Sequence, residues 1–216
     1  PDISVYRAAY GDFQVSTFSA DVTVPVGHEM MGGLWQATSV ADPLLARGFV
    51  LTGGDQPLVF VSIDWCEIRN AAYERWREVL AESAGTAPVR VMVTSIHQHE
   101  APVADLAAEE ILRERKLAGS ICDLAFHEVA VQRVARALRA SLPKARRVTQ
   151  VGIGQGKVDQ LASNRRYLLP DGTVRFDRGS ATRNTLAVEA EEGVIDPWAK
   201  CLSFWDGDRP LVALST

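Results

Sequence analysis

Residues 58–64 read LVFVSID, residues 71–84 read AAYERWREVLAESA, and residues 89–96 read VRVMVTSI. The first and last runs are apolar and rich in β-branched side chains, as strands are. The middle run places Tyr73, Trp76, Val79 and Leu80 on one helical stripe, with Glu and Arg elsewhere, and Gly85 closes it. Strand, helix and strand at this spacing predict a βαβ-like unit, whose crossover sets the two strands side by side and parallel. Such a unit makes the chain α/β.

Outward from this unit, GFVLTGG (48–54) pairs with LVFVSID through GGDQP, a hairpin signal. DVTVPV (21–26) alternates and then breaks at Pro25 and Gly27, which predicts a short strand running into a loop. Downstream, Pro102 ends the strand path and ADLAAEEILRERKLA (104–118) reads as helical. A second helix starts near Asp123, a plausible N-cap, with Phe126, Val129, Ala130, Val134, Ala137 and Leu138 as its apolar face and Pro143 as its stop. From Val148 the texture turns to β. VTQVGIGQGKV (148–158) leads to RRYLLPDGTVRF (165–176), a hairpin about Pro170-Asp171-Gly172. Residues 177–197 are polar and irregular, a long loop of the functional or mobile kind. The end, KCLSFW, DGDRP and LVALST, reads as strand, tight turn, strand. The expectation is one α/β domain over 1–216, with mixed β-sheets flanked by helices, a βαβ-type N-terminal half and a more β-rich C-terminal half. The sequence stops inside what should be the returning strand, so the domain is expected to be incomplete at its C-terminus.

With 216 residues and 47% hydrophobic side chains the chain can bury a core. A net charge of −4 leaves no electrostatic footprint for nucleic acid or an anionic membrane. The densest basic cluster, Lys144-Ala145-Arg146-Arg147, comes just after a helix end whose dipole it complements. The longest apolar run, around LVFVSI, falls well short of the ~20 residues that span a bilayer. Cys66, Cys122 and Cys201 form no C-x-x-C and are read as thiols. GIGQGK (152–157) lacks the first Gly and the Ser/Thr of a phosphate loop and reads as a glycine-rich strand.

The stretch TSIHQHEAP (94–102) concentrates the candidate chemistry. Side chains at i and i+2 of a strand share a face, so His97 and His99 converge if strand geometry continues that far. Neutral imidazole is the commonest metal ligand, and sites in open α/β sheets lie beyond the carboxyl ends of strands. Glu100 adds an oxygen ligand or a general base; the alternative is a hydrogen-bonded histidine pair at a strand end. Asp64, at the end of the neighbouring strand, can orient a metal-bound histidine through its second nitrogen or simply cap the next helix or loop. Cys66 reads as a buried thiol and His127 as a structural histidine. His28 lies in a loop after Pro25 and Gly27 and is a pocket candidate. Beside Asn164, Arg165 or Arg166 can clamp a carboxylate or stabilise an oxyanion, or stand as ordinary surface arginine.

Taken in order, DVTVPVGHEMMGG, DPLLARGFVL with LVFVSID, VMVTSIHQHEAP and ASNRR resemble the N-terminal catalytic domain of the neutral/alkaline non-lysosomal ceramidases over about residues 15–216. The family shows an Asp-Ile-Thr-x-Pro opening, paired strands, a Thr-His-Thr-His-Ser-Gly-Pro motif and an Asn-Arg segment at the matching places. The resemblance implies zinc-dependent amide hydrolysis of a small-molecule or lipid-like substrate. His97 would be a zinc ligand, His99 a neighbouring active-site group and Arg165 a substrate or oxyanion contact. It allows a secreted or periplasmic protein. Glu100-Ala101-Pro102 stands where the family has Ser-Gly-Pro, and the family's Gly-Asp-Val-Ser-Pro motif is not in these residues. The family's second zinc histidine would fall just past Thr216, with its Glu and Tyr ligands further on. A ceramidase-like domain that binds a ligand or partner without turnover is therefore the alternative. The H-x-H of cyclic amidohydrolases is a third comparison, but a (β/α)₈ barrel needs eight strand–helix repeats that the β-rich second half does not supply.

Overall fold

The computed structural model describes residues 2–7 and 12–216. The chain begins with β1 (Asp2–Arg7), β2 (Gln14–Asp21), β3 (Glu29–Met30), β4 (Trp35–Gln36), β5 (Leu45–Thr52) and β6 (Leu58–Ile63). It continues through β7 (Glu67–Arg69), α1 (Asn70–Ala84), β8 (Val91–Ser95), β9 (Val103–Asp105), α2 (Leu106–Glu114) and α3 (Leu124–Ser141). It ends with β10 (Arg146–Arg147), β11 (Gln150–Lys157), β12 (Tyr167–Leu168), β13 (Val174–Arg175), α4 (Thr185–Glu189), β14 (Trp198–Asp206) and β15 (Arg209–Ser215). The expected α/β class, with mixed sheets and flanking helices, is what the molecule shows. The chain divides into two compact units. One holds Arg7–Gln150 and Phe204–Val212, and the other holds Pro1–Tyr6, Val151–Ser203 and Ala213–Thr216.

The larger unit is built on a five-stranded sheet in the order β10-β2-β5-β6-β8. β5 and β6 form the expected antiparallel hairpin, and β6 and β8 are parallel, with Val59 opposite Val91 and Ile63 opposite Ser95. Three local devices fix the helices. Gly85 takes φ +68° at the end of α1, where Thr86 N–H reaches back to Ala81 O at 3.0 Å. Asp105 caps α2 by accepting from Ala108 N–H, and Asp123 caps α3 by accepting from Ala125 and Phe126 N–H. α3 packs against β2 and α1, and α1 against β8. The core between them holds Trp65, Trp76, Leu80, Val131, Val134 and Leu138, all fully buried. Trp65 keeps its polar edge satisfied by donating Nε1–H to Val22 O at 3.0 Å. On the other face, Phe49 stacks on Phe60 at 4.9 Å and meets Phe204 at 5.7 Å.

Four sequence expectations are corrected. The strand expected at DVTVPV lies earlier, as β2, which pairs with β5 along its whole length. Asp21 Oδ1 accepts from Thr23 N–H at 2.8 Å and turns the chain out of the sheet there. The buried face of α3 is His127, Ala130, Val131, Val134, Ala135, Leu138 and Ser141, while Val129 is 45% exposed. The helix expected over 104–118 begins only at Leu106, because Val103–Asp105 is spent on a parallel pairing with β7. Pro88–Arg90 forms a 3₁₀ turn before β8, so the strand is shorter than VRVMVTSI.

In the smaller unit, β12 and β13 form the hairpin expected about Pro170-Asp171-Gly172, with Gly172 at φ +84°. Four further strands hydrogen-bond in the order β1-β11-β14-β15. The segment 177–197 is organised by one buried cation. Arg178 donates to the carbonyls of Ala187 at 2.6 Å, Glu191 at 3.0 Å, Asn164 at 3.2 Å and also Ala190. Among the described residues no helix is long and apolar enough to cross a membrane.

Candidate functional site

β6 and β8 end together, and one further bond, Ile96 N–H to Ile63 O at 3.2 Å, carries the pairing past Ser95. Extension then stops, because His97 adopts φ +60°. This left-handed conformation is uncommon for a residue with a Cβ. The turn swings the His97 ring back over the end of β6. Its Nδ1 lies 3.2 Å from the Cys66 carbonyl oxygen, 3.7 Å from Cys66 Sγ and 3.7 Å from Glu67 Oε1. The His99 ring stands edge-on to it, with centroids 5.1 Å apart. The two rings come together through a left-handed turn; the strand alternation expected to align them stops before His97.

The surrounding backbone is clamped. Met31 N–H donates to Ala101 O at 2.9 Å, and Cys66 N–H to Pro102 O at 3.0 Å. The parallel pair β7–β9 sets Glu67 opposite Val103. Cys66 is buried, with Sγ 3.3 Å from Met31 Sδ. Burial pushes its thiol pKa up, the nearby Glu67 charge adds to this, and Arg69 opposes it. Glu67 is ion-paired with Arg69. The ligand atoms of Cys66, Glu67 and His97 all lie within 4.8 Å of one another. Tetrahedral zinc with bonds of ~2.3 Å to sulfur and ~2.0–2.1 Å to nitrogen would hold those two atoms about 3.6 Å apart. The observed 3.7 Å between Cys66 Sγ and His97 Nδ1 fits that requirement.

The other candidates take different places. Asp64 accepts from Leu45 N–H at 2.9 Å and pairs with Arg47 at 3.1 Å, so its carboxylate ties β6 to β5. The carboxylate beside His97 Nδ1 is Glu67 instead. Glu100 is exposed and, with Gln98, Trp35 and Met30, lines a cleft of about 420 Å³. His28 is buried. Its Nδ1 bonds the Glu29 carbonyl at 2.6 Å and its Nε2 accepts from Asp123 N–H at 3.2 Å, so both ring nitrogens join backbone segments. Its ring also borders a cavity of about 550 Å³ with Glu109, Arg113 and Asp123. Asn164 and Arg165 belong to the smaller unit. There Asn164 Oδ1 accepts from Arg166 N–H at 2.9 Å, while Arg165 is exposed.

Two residues at the cluster escape a reading of the sequence, Glu67 and Met31. Glu67 is positioned by a three-residue strand, too short to show periodicity. Met31 approaches the thiol from MMGG with φ +51°, a turn that no propensity assigns to methionine.

The geometry is that of an α/β fold with a His/Cys/Glu cluster at the carboxyl ends of two parallel strands. No family model matches the chain, and no curated protein sequence matches it. Solved structures do share its fold. A ceramidase complexed with C2 and the neutral ceramidase from Pseudomonas aeruginosa each align with a TM-score of 0.65 and 19% identity over 95% of this chain. The chain spans about a third of their length, 31% in each case.

Proposed function

We propose that the protein is a zinc-dependent hydrolase of the ceramidase type that cleaves an N-acyl amide bond, with His97 at the metal. The observation that carries this reading is the convergence of His97, His99, Cys66 and Glu67 beyond β6 and β8. The ceramidase-like fold over 95% of the chain supports it. Zinc in such a site supplies Lewis-acid polarisation of the amide carbonyl and a water whose pKa is lowered to about 7.

The chain's own side chains do the rest. His97 is held by its left-handed turn and by the groups around its ring. His99 would hold or pass the proton that must reach the leaving amine, a role that its exposed ring edge-on to His97 supports. Glu100 is the neighbouring general base. The substrate is a small-molecule or lipid-like amide.

Incubation with a panel of N-acyl amines, with and without a chelator, tests the proposal. Chelator-sensitive turnover that is lost in His97→Asn is expected. Equal turnover by the variant would remove His97 from the mechanism. Glu100, exposed where the ceramidase motif has Ser, favours the second reading, a binding domain without turnover. Saturable binding of an N-acyl amine without hydrolysis would select it.

A further inference from the structure

We propose that Cys66 and Glu67 join His97 as direct ligands, making a thiolate-bearing zinc site within this chain, with Met31 Sδ closing its buried side. This deepens the metal-dependent reading above, on which it rests. That reading needs only His97 at the metal and leaves open whether Cys66 or Glu67 binds it.

Two residues with left-handed backbones, Met31 at φ +51° and His97 at φ +60°, converge on one buried thiol. Conformations of this kind concentrate at ligand clamps because the surrounding structure must over-determine them. Here it does, through Met31 N–H to Ala101 O on one side and Cys66 N–H to Pro102 O on the other. The thiol is thus held in place before any ion arrives. Its sulfur lies 3.3 Å from Met31 Sδ and 3.7 Å from His97 Nδ1, which in turn lies 3.7 Å from Glu67 Oε1. Among the described residues this is the one group of three unlike ligands whose donor atoms come so close.

Thiolate, imidazole and carboxylate together suit zinc. Binding would exchange the Cys66 S–H bond for an S–Zn bond and release the proton to solvent. His97, 59% exposed in its side chain, forms the outer wall, so the site opens toward water as a catalytic zinc requires. The competing arrangement uses the same ring the other way round. His97 Nδ1–H donates to the Cys66 carbonyl, Nε2 takes the metal, and the thiol is a bystander.

Titration of the metal-free protein with Co²⁺ separates the two. Cobalt bound to a thiolate shows an intense near-ultraviolet sulfur-to-metal charge-transfer band, whereas nitrogen and oxygen ligands give only weak visible bands. The expected result is that charge-transfer band, displaced by Zn²⁺, absent in Cys66→Ser and retained in Cys122→Ser and Cys201→Ser. Glu67→Gln is expected to weaken Co²⁺ binding by at least about tenfold. If Cys66→Ser fails to fold, a band retained in the Cys122→Ser, Cys201→Ser double variant, where Cys66 is the one thiol left, is decisive. Visible bands without the charge-transfer band overturn the proposal, as does the absence of cobalt binding. Chelator-sensitive amide hydrolysis that persists in Cys66→Ser would also overturn it and leave the hydrolase reading standing.

Discussion

His97 takes a left-handed backbone, and that turn brings its ring to 5.1 Å from His99. Asn tolerates this conformation better than other residues with a Cβ. His97→Asn should therefore keep the turn and remove the imidazole, with metal content falling while the melting temperature of the metal-free protein holds. A metal-free variant that melts well below the metal-free wild type would mean the ring supports the fold. His127 makes a contrasting case. It is 3% exposed, its Nε2 has no hydrogen-bond partner among the described residues, and burial holds its pKa down at about 4. The unfolded chain takes a proton near pH 6.5 and the folded chain only near pH 4, so acid favours unfolding. His127's contribution is full above about pH 6.5 and declines through that window, by about 3 kcal/mol at its acid end. Melting temperatures between pH 7 and pH 4.5 should fall less steeply in His127→Phe than in the wild type; equal slopes would contradict the assignment. The sequence shows a structural histidine here. It misplaces the face, because Phe126 and Val129 are apolar enough to pull the stripe by one position.

Among the elements, those with several periods of pattern were legible: α1, α3, the β5–β6 hairpin, and the turns at Pro170-Asp171-Gly172 and Asp206-Gly207. β7 and β9, three residues each, were not, and they are what bring Glu67 beside His97. Tertiary pairing alone creates them. β2 was missed because its alternation holds Ser and Thr, although Ser16 is buried. Its register depends on Gly48, opposite Phe18. A Cβ there would sit 2.5 Å from the Phe60 carbonyl oxygen and closer still to the Phe18 ring. Gly48→Ala is expected to cost about 1–3 kcal/mol in urea unfolding, and a neutral result would show that the ring has room to move. In the smaller unit, Arg178→Ala strands four carbonyls that it now holds. It should speed amide hydrogen exchange across residues 184–194, and unchanged protection there would show the segment to be held by other contacts.

At the scale of the molecule, the α/β class was readable because the periods of 2 and 3.6 alternate in the order that a crossover needs. The candidate site was readable only in its histidines. His97 and His99 advertise themselves by type and spacing, whereas Asp64, equally suggestive, is drawn to Leu45 and Arg47 by the strand beside it. Nothing in a linear pattern separates two carboxylates three residues apart that end on opposite sides of a strand pairing. The fold likeness to ceramidases covers 95% of this chain and 31% of theirs, so metal content is a more direct test than activity toward any one substrate. The deciding measurement is zinc stoichiometry by elemental mass spectrometry on wild-type protein and His97→Asn, after dialysis against metal-free buffer and reloading. Stoichiometric zinc in the wild type, lost in the variant, is the expected result. Equal zinc in both would contradict a metal centre at His97.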